Sequence, residues 1–289
     1  MSPASLEAKL ICDAHAEVGE GPAWLAQERL LVWVDIMPGL VHQLEESGQV
    51  RRTLRLGRPV GAAIPREGGG MVAAVADGLL LLDREGQVER HIAVEADRPG
   101  NRMNDAKADP MGRLWAGTMA LDSSTGAGSL YRVEVDGRVE RVIESATISN
   151  GLDWSPDGRT FYWIDSPTLR VEAFDFDTAR GALSDRRTVV ETGPDAGMPD
   201  GMCVDAESCL WVAFWGGGCV RRYSPAGEHL ATVELPVSLV TSCCFGGIRL
   251  ETLYITTAAG IEERLPAPAG GVYRVAPGVS GQPTRWFGG

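Results

Sequence analysis

Six times along this chain a small or polar residue opens an apolar stretch that runs through a turn into a second strand, and that recurrence restricts the available folds. The openings are Glu20-Gly-Pro-Ala-Trp, Gly61-Ala-Ala-Ile, Asn104-Asp-Ala-Lys-Ala, Asn150-Gly-Leu-Asp-Trp, Asp200-Gly-Met-Cys-Val and Ser242-Cys-Cys-Phe, the Gly61 copy being weak. About ten residues further on, a hairpin spacing, come Leu31-Val-Trp-Val-Asp, Leu114-Trp-Ala-Gly, Phe161-Tyr-Trp-Ile-Asp, Leu210-Trp-Val-Ala and Leu253-Tyr-Ile-Thr. Turn chemistry lies between them at Asp109-Pro-Met-Gly, Ser155-Pro-Asp-Gly and Asp205-Ala-Glu-Ser.

The openings are separated by 41, 43, 46, 50 and 42 residues, the period of a blade of about four strands, and radially stacked blades make a propeller. The expected fold is all-β: a six-bladed β-propeller of four-stranded antiparallel blades, forming a single domain over residues 1–289. The first strand of each blade lines the central channel, so residues in one repeat register converge at one mouth. Glu20, Asn104, Asn150, Asp200 and Ser242 share that register. Alone, an Asn-Gly or Asp-Gly pair reads as a turn. Gathered around one point, carboxylates and amide oxygens form a hard oxygen site for a divalent cation.

Composition agrees with this and narrows the function. Hydrophobic residues at 44% allow a sizeable core, while 36 glycines and 17 prolines, spread along the chain, suit many short strands and tight turns. A formal net charge of −12 argues against a nucleic-acid partner, which calls for clustered Lys and Arg. No run approaches the length of a membrane span, and residues 1–15 lack a basic start followed by an apolar core, so no membrane partner and a cytoplasmic location are expected. No amphipathic helix or heptad marks an assembly surface, so a monomer is expected.

Several other chemistries find little support. The cysteines at 12, 203, 209, 219, 243 and 244 contain no Cys-x-x-Cys pair and read as free thiols, with Cys243 and Cys244 on opposite faces of a strand. His15, His42, His91 and His229 show no i, i+4 zinc pairing. There is no Gly-x-Ser-x-Gly elbow. Gly216-Gly-Gly opens no amphipathic helix and reads as a blade turn, and Asp175-Phe-Asp-Thr as a solvated strand end rather than a calcium loop.

Several long motifs, in order, resemble the senescence-marker-protein, regucalcin and gluconolactonase family. They are Gly19-Glu-Gly-Pro, Arg102-Met-Asn-Asp-Ala-Lys-Ala-Asp-Pro-Met-Gly-Arg, Trp115-Ala-Gly-Thr-Met, Ile148-Ser-Asn-Gly-Leu-Asp-Trp-Ser and Pro199-Asp-Gly-Met-Cys-Val-Asp-Ala-Glu. Thr241-Ser-Cys-Cys-Phe-Gly-Gly and Pro268-Ala-Gly-Gly-Val bring the chain nearest to the regucalcin branch. The resemblance implies one divalent metal in the channel and hydrolysis of sugar lactones. It puts the metal ligands at Glu20, Asn150 and Asp200, and substrate contacts at Arg102, Asn104 and Asp122. Calcium ranks first and zinc second, with magnesium, manganese or iron also compatible with a three-ligand oxygen cup.

In that scheme the cation polarises a lactone carbonyl, Asp200 is the candidate general base, and Arg102, Asn104 and Asp122 orient sugar hydroxyls. The product is the aldonic acid, with gluconolactone the default substrate. Alternatives are a calcium-binding regulator of regucalcin type, a phosphotriesterase-like hydrolase and an interaction scaffold. Two departures bear on strain: Ala106 stands where the family usually has the glycine of Asn-Asp-Gly-Lys, and Ser208 where a glycine commonly ends Asp-Ala-Glu-Gly.

Overall fold

The computed structural model describes residues 3–260, 265, 266 and 268–289, so the first two residues of the amino-terminal stretch assessed for a leader lie outside it. Six antiparallel sheets follow one another along the chain, and the fold is the six-bladed propeller anticipated from the repeat. The innermost strands are Gly19–Leu25, Val60–Pro65, Asn101–Ala108, Ser149–Trp154, Met198–Val204 and Val240–Gly246, and they define blades 1 to 6. The weak Gly61 copy is a complete blade of four strands. Its second strand, Met71–Val75, carries no aromatic side chain, which is why it was hard to see.

Packing between neighbouring blades supplies the core. Six apolar clusters occupy the six interfaces, and Trp33, Trp115, Trp163, Trp211 and Tyr254 of the second strands are almost wholly buried in them. Between blades 3 and 4, Trp115, Trp154, Phe161 and Phe176 meet edge-on or tilted with ring centroids 5.0–6.4 Å apart, favourable quadrupolar geometries. All six cysteines are free. Cys243 faces the blade 5–6 interface and Cys244 the blade 6–1 interface, as strand alternation requires.

Each of the six inner strands breaks register with its neighbour near its channel-facing residue, for example between Glu20 and Ala23, Asn150 and Leu152, and Pro199 and Met202. Such bulges re-aim side chains. The Asn150-Gly and Asp200-Gly pairs are therefore bulged strand, not turns. Gly151 has a packing reason as well: a Cβ there would collide with the Asp200 carbonyl oxygen of the next blade.

The ring closes through its amino terminus, Lys9–Cys12 pairing antiparallel with Val272–Val275 as the outer strand of blade 6. In addition, Ala4–Glu7 adds a parallel fifth strand to blade 5. Both cover edges that would otherwise present unpaired backbone groups. Deleting the first twelve residues should lower the unfolding midpoint by several degrees; an unchanged melting curve would contradict the closure.

Residues 280–289 form no regular strand, yet they cross the opposite end of the channel. The Gln282 side chain donates to the carbonyls of Trp154 (2.9 Å) and Val204 (3.2 Å), the Trp24 amide donates to Thr284 Oγ1, and Phe287 and Gly288 bond Pro65 and Gly112. Beneath them a small cavity of about 60 Å³ holds Asp105, Lys107, Asp153 and Arg285. Lys107 Nζ and Arg285 pair with Asp153 at 3.1 and 3.3 Å.

Of the two departures from the family pattern, Ala106 has an ordinary strand conformation whereas Ser208 has φ of 69°. A non-glycine residue in this region is strained. Ser208→Gly should therefore stabilise the protein by about 0.5–1 kcal/mol, net of the glycine's greater unfolded-state entropy. A lower midpoint in chemical denaturation for this variant would contradict that expectation.

Candidate active site

The entries to the inner strands are pinned by carboxylates on the second strands. Asp35 accepts hydrogen bonds from the amides of Glu17 (3.2 Å) and Val18 (3.0 Å), just before Glu20. Asp165 does the same for Thr147 and Ile148, just before Asn150. Both aspartates end the Trp-containing second-strand motifs of their blades, Leu31-Val-Trp-Val-Asp and Phe161-Tyr-Trp-Ile-Asp. Their positioning role went unnoticed in the sequence, although their equivalent places in two repeats were a usable signal.

Glu20, Arg102, Asn104, Asn150 and Asp200 line one cavity of about 310 Å³ at the open mouth. A chain of hydrogen bonds orients them. Arg102 donates to Asn104 Oδ1 (2.7 Å), Asn104 Nδ2 to Asn150 Oδ1 (2.8 Å) and Asn150 Nδ2 to Ser166 Oγ (2.9 Å), while Ser166 donates to the Pro199 carbonyl (2.6 Å). Ser166 thus ties Asn150 to the backbone one residue before Asp200 and turns the Asn150 oxygen away from its own blade. Nothing in the repeat pointed to Ser166, which follows the second strand rather than opening the first.

Two sequence expectations change. Ser242, in the same register, lines the small far cavity rather than the open one. Asp122 is not brought into the cluster: its neighbours Leu121 and Ser123 line the cavity, but Asp122 is exposed and its Oδ1 accepts hydrogen bonds from the amide (3.0 Å) and hydroxyl (2.6 Å) of Ser124. A local Asx-type turn has taken the carboxylate.

The site's electrostatics are those of an incompletely neutralised acidic pair. Burial holds the Glu20 carboxyl well above the usual range, and the charges of Asp200 and Asp105 push the same way, against the Gly21 amide and Arg102. Burial and Asp105 likewise raise Asp200, opposed by Arg102, Asn150 and the Gly201 amide. Desolvation lowers Arg102 to about 10 despite both carboxylates. Neither Glu20 nor Asp200 forms an ion pair among the described residues. Buried carboxylates without a paired cation are costly, and a divalent ion would reverse the cost. No three His, Cys, Asp or Glu side chains cluster as a metal group among the described residues. A cation would depend on the Asn150 oxygen as its third ligand, an oxygen that accepts one hydrogen bond from Asn104 and keeps a second lone pair. The donor set fits a hard ion.

The family model for the SMP-30/gluconolactonase/LRE-like region matches residues 18–259, which includes every residue of this cluster. The chain belongs to the SMP-30/gluconolactonase family. A regucalcin of Danio rerio is 40% identical over 257 residues, covering 88% of this chain and 87% of its own. A calcium-binding protein, regucalcin, from Agrobacterium tumefaciens superposes with a TM-score of 0.92 at 29% identity, covering 99% of each chain. A gluconolactonase from Xanthomonas campestris gives 0.76 at 25% identity, covering 92% of this SMP-30/gluconolactonase chain and 87% of its own.

Proposed function

We propose that this protein hydrolyses sugar lactones, with a divalent cation held by Glu20, Asn150 and Asp200. The observation that carries the reading is the pair of buried, charge-deficient carboxylates beside an oriented carboxamide oxygen on the floor of an open cavity. The Xanthomonas relative, described as a gluconolactonase, supports the substrate class, and the Agrobacterium relative, described as calcium-binding, supports calcium as the first choice of ion. When bound, such an ion supplies Lewis acidity toward the carbonyl and offsets the negative charge that develops there.

The protein's own groups do the rest. Asp200 accepts the proton of the attacking water as its oxygen bonds to the carbonyl carbon. The ring C–O bond then breaks, the departing ring oxygen takes up a proton, and the aldonic acid results. Asn104, whose amide N–H groups are taken by Ser149 and Asn150, holds Arg102 at 2.7 Å, and the remaining guanidinium N–H groups of Arg102 orient the substrate's oxygens. Six free thiols support a reducing, cytoplasmic compartment.

A pH-stat assay of δ-gluconolactone opening, corrected for the spontaneous rate, tests the reading: chelator should abolish turnover and calcium restore it. In the same samples a divalent ion at about a hundred times its Kd should add about 2.7 kcal/mol of stability, roughly 5–10 °C in the midpoint. Glu20→Gln should lose that shift. A regucalcin-type binding role without catalysis would leave the shift intact and show no turnover with any ion.

A further inference from the structure

The cavity floor and its walls differ in kind. Glu20, Asn104, Asn150 and Asp200 are buried, while the accessible apolar lining, here the rim, is Met37, Leu121, Ile148, Met198 and Trp215, drawn from blades 1, 3, 4 and 5, with Ile36 and Met119 buried beside it. Ile36 belongs to the apolar core between blades 1 and 2, and Met37 and Trp215 pack against that core with part of their surface left open to the cavity. Leu121 is 54% exposed, and Met37, Met198 and Trp215 are half-buried. Isolated exposed apolar residues are ordinary on a protein surface, but five accessible ones that converge on one mouth, two of them methionines, mark a binding surface that adapts to its occupant.

We propose that this rim takes the apolar substituent of a ring-substituted lactone, so that the protein also opens alkyl- or aryl-substituted lactones. The inference rests on the lactone-hydrolysis reading and extends its substrate class. With the carbonyl at the Glu20–Asp200 floor, ring carbons on the far side must meet the rim. Among the described polar lining groups, Asn104, Asn150 and Ser166 are engaged with one another and with the Ser149 and Pro199 carbonyls, which leaves Arg102 beside the carboxylates and Ser123 among the apolar residues. A hydroxyl placed against methionine and tryptophan surface loses its water without gaining a partner, whereas a methylene there is favourably buried. A volume of about 310 Å³, at the small end of the roughly 300–1,000 Å³ of ligand sites, leaves room for one ring and a short chain.

The test compares kcat/KM for δ-gluconolactone, δ-valerolactone and δ-nonalactone with the metal-loaded full-length protein. The butyl-substituted lactone should exceed δ-valerolactone by at least about 10-fold, mostly through KM, since even one methylene in an apolar pocket is worth that order of discrimination. Met37→Gln and Met198→Gln, similar in size but polar, should collapse the ratio toward one. If δ-gluconolactone and δ-valerolactone are opened but δ-nonalactone is no better, or if the glutamine variants keep the ratio, the inference is overturned and the lactonase reading stands. If no lactone is opened, the reading beneath it falls as well.

Discussion

Asp200→Ala is expected to lower kcat/KM for gluconolactone by about 10³-fold or more without lowering the stability of the metal-free protein. The size follows from losing two roles at once, since a positioned base contributes about 10²–10⁴ and an element of oxyanion stabilisation about 10²–10³. The stability half is the diagnostic one. Removing a carboxylate that burial and Asp105 hold in an unfavourable state relieves repulsion with Glu20. A structural carboxylate would behave in the opposite way. An Asp200→Ala protein that retained wild-type turnover, or that melted far earlier than the wild type without metal, would remove Asp200 from the chemistry.

Asp205→Ala should cost about 3–5 kcal/mol and lower the midpoint by roughly 6–20 °C, although it lies away from the open mouth. Asp205 is fully buried at the turn after the inner strand of blade 5. Its Oδ1 accepts hydrogen bonds from the amides of Glu207 and Cys209, and its Oδ2 accepts hydrogen bonds from Trp211 Nε1 and Arg222 Nε at 2.9 Å each. Alanine would leave the indole N–H and two backbone amides without their acceptor and leave Arg222 with only the exposed Glu207 as a carboxylate partner among the described residues. Asp109 makes the equivalent set in blade 3, with the amides of Met111 and Arg113, Trp115 and the Arg113 guanidinium. Asp109→Ala should match it. Melting within about 2 °C of wild type would show that the turn tolerates the loss of its buried carboxylate, against the usual cost of removing one partner of a buried pair.

The repeat was legible because every blade must solve the same packing problem, leaving an aromatic residue on five of six second strands. Blade 2 solves it with small residues, Val72-Ala-Ala, against bulkier neighbours, and so left only a faint trace. Glu20, Asn104, Asn150 and Asp200 could be grouped in advance because register maps directly onto height in the channel. Ser242 shows where that mapping slips. The register break in its strand falls before it, between Val240 and Ser242, whereas those of blades 1 and 4 fall after Glu20 and Asn150. Asp122 belongs to a loop, where side-chain direction follows local hydrogen bonds that no periodicity encodes. The last ten residues were illegible for another reason: they hold the channel end through backbone and amide contacts, which leave no apolar rhythm in the chain.

Those last residues make the channel a cul-de-sac. Whatever enters beside Glu20 must back out past the same threshold, so arrivals and departures share one doorway, and a spent molecule that lingers shuts out its successor.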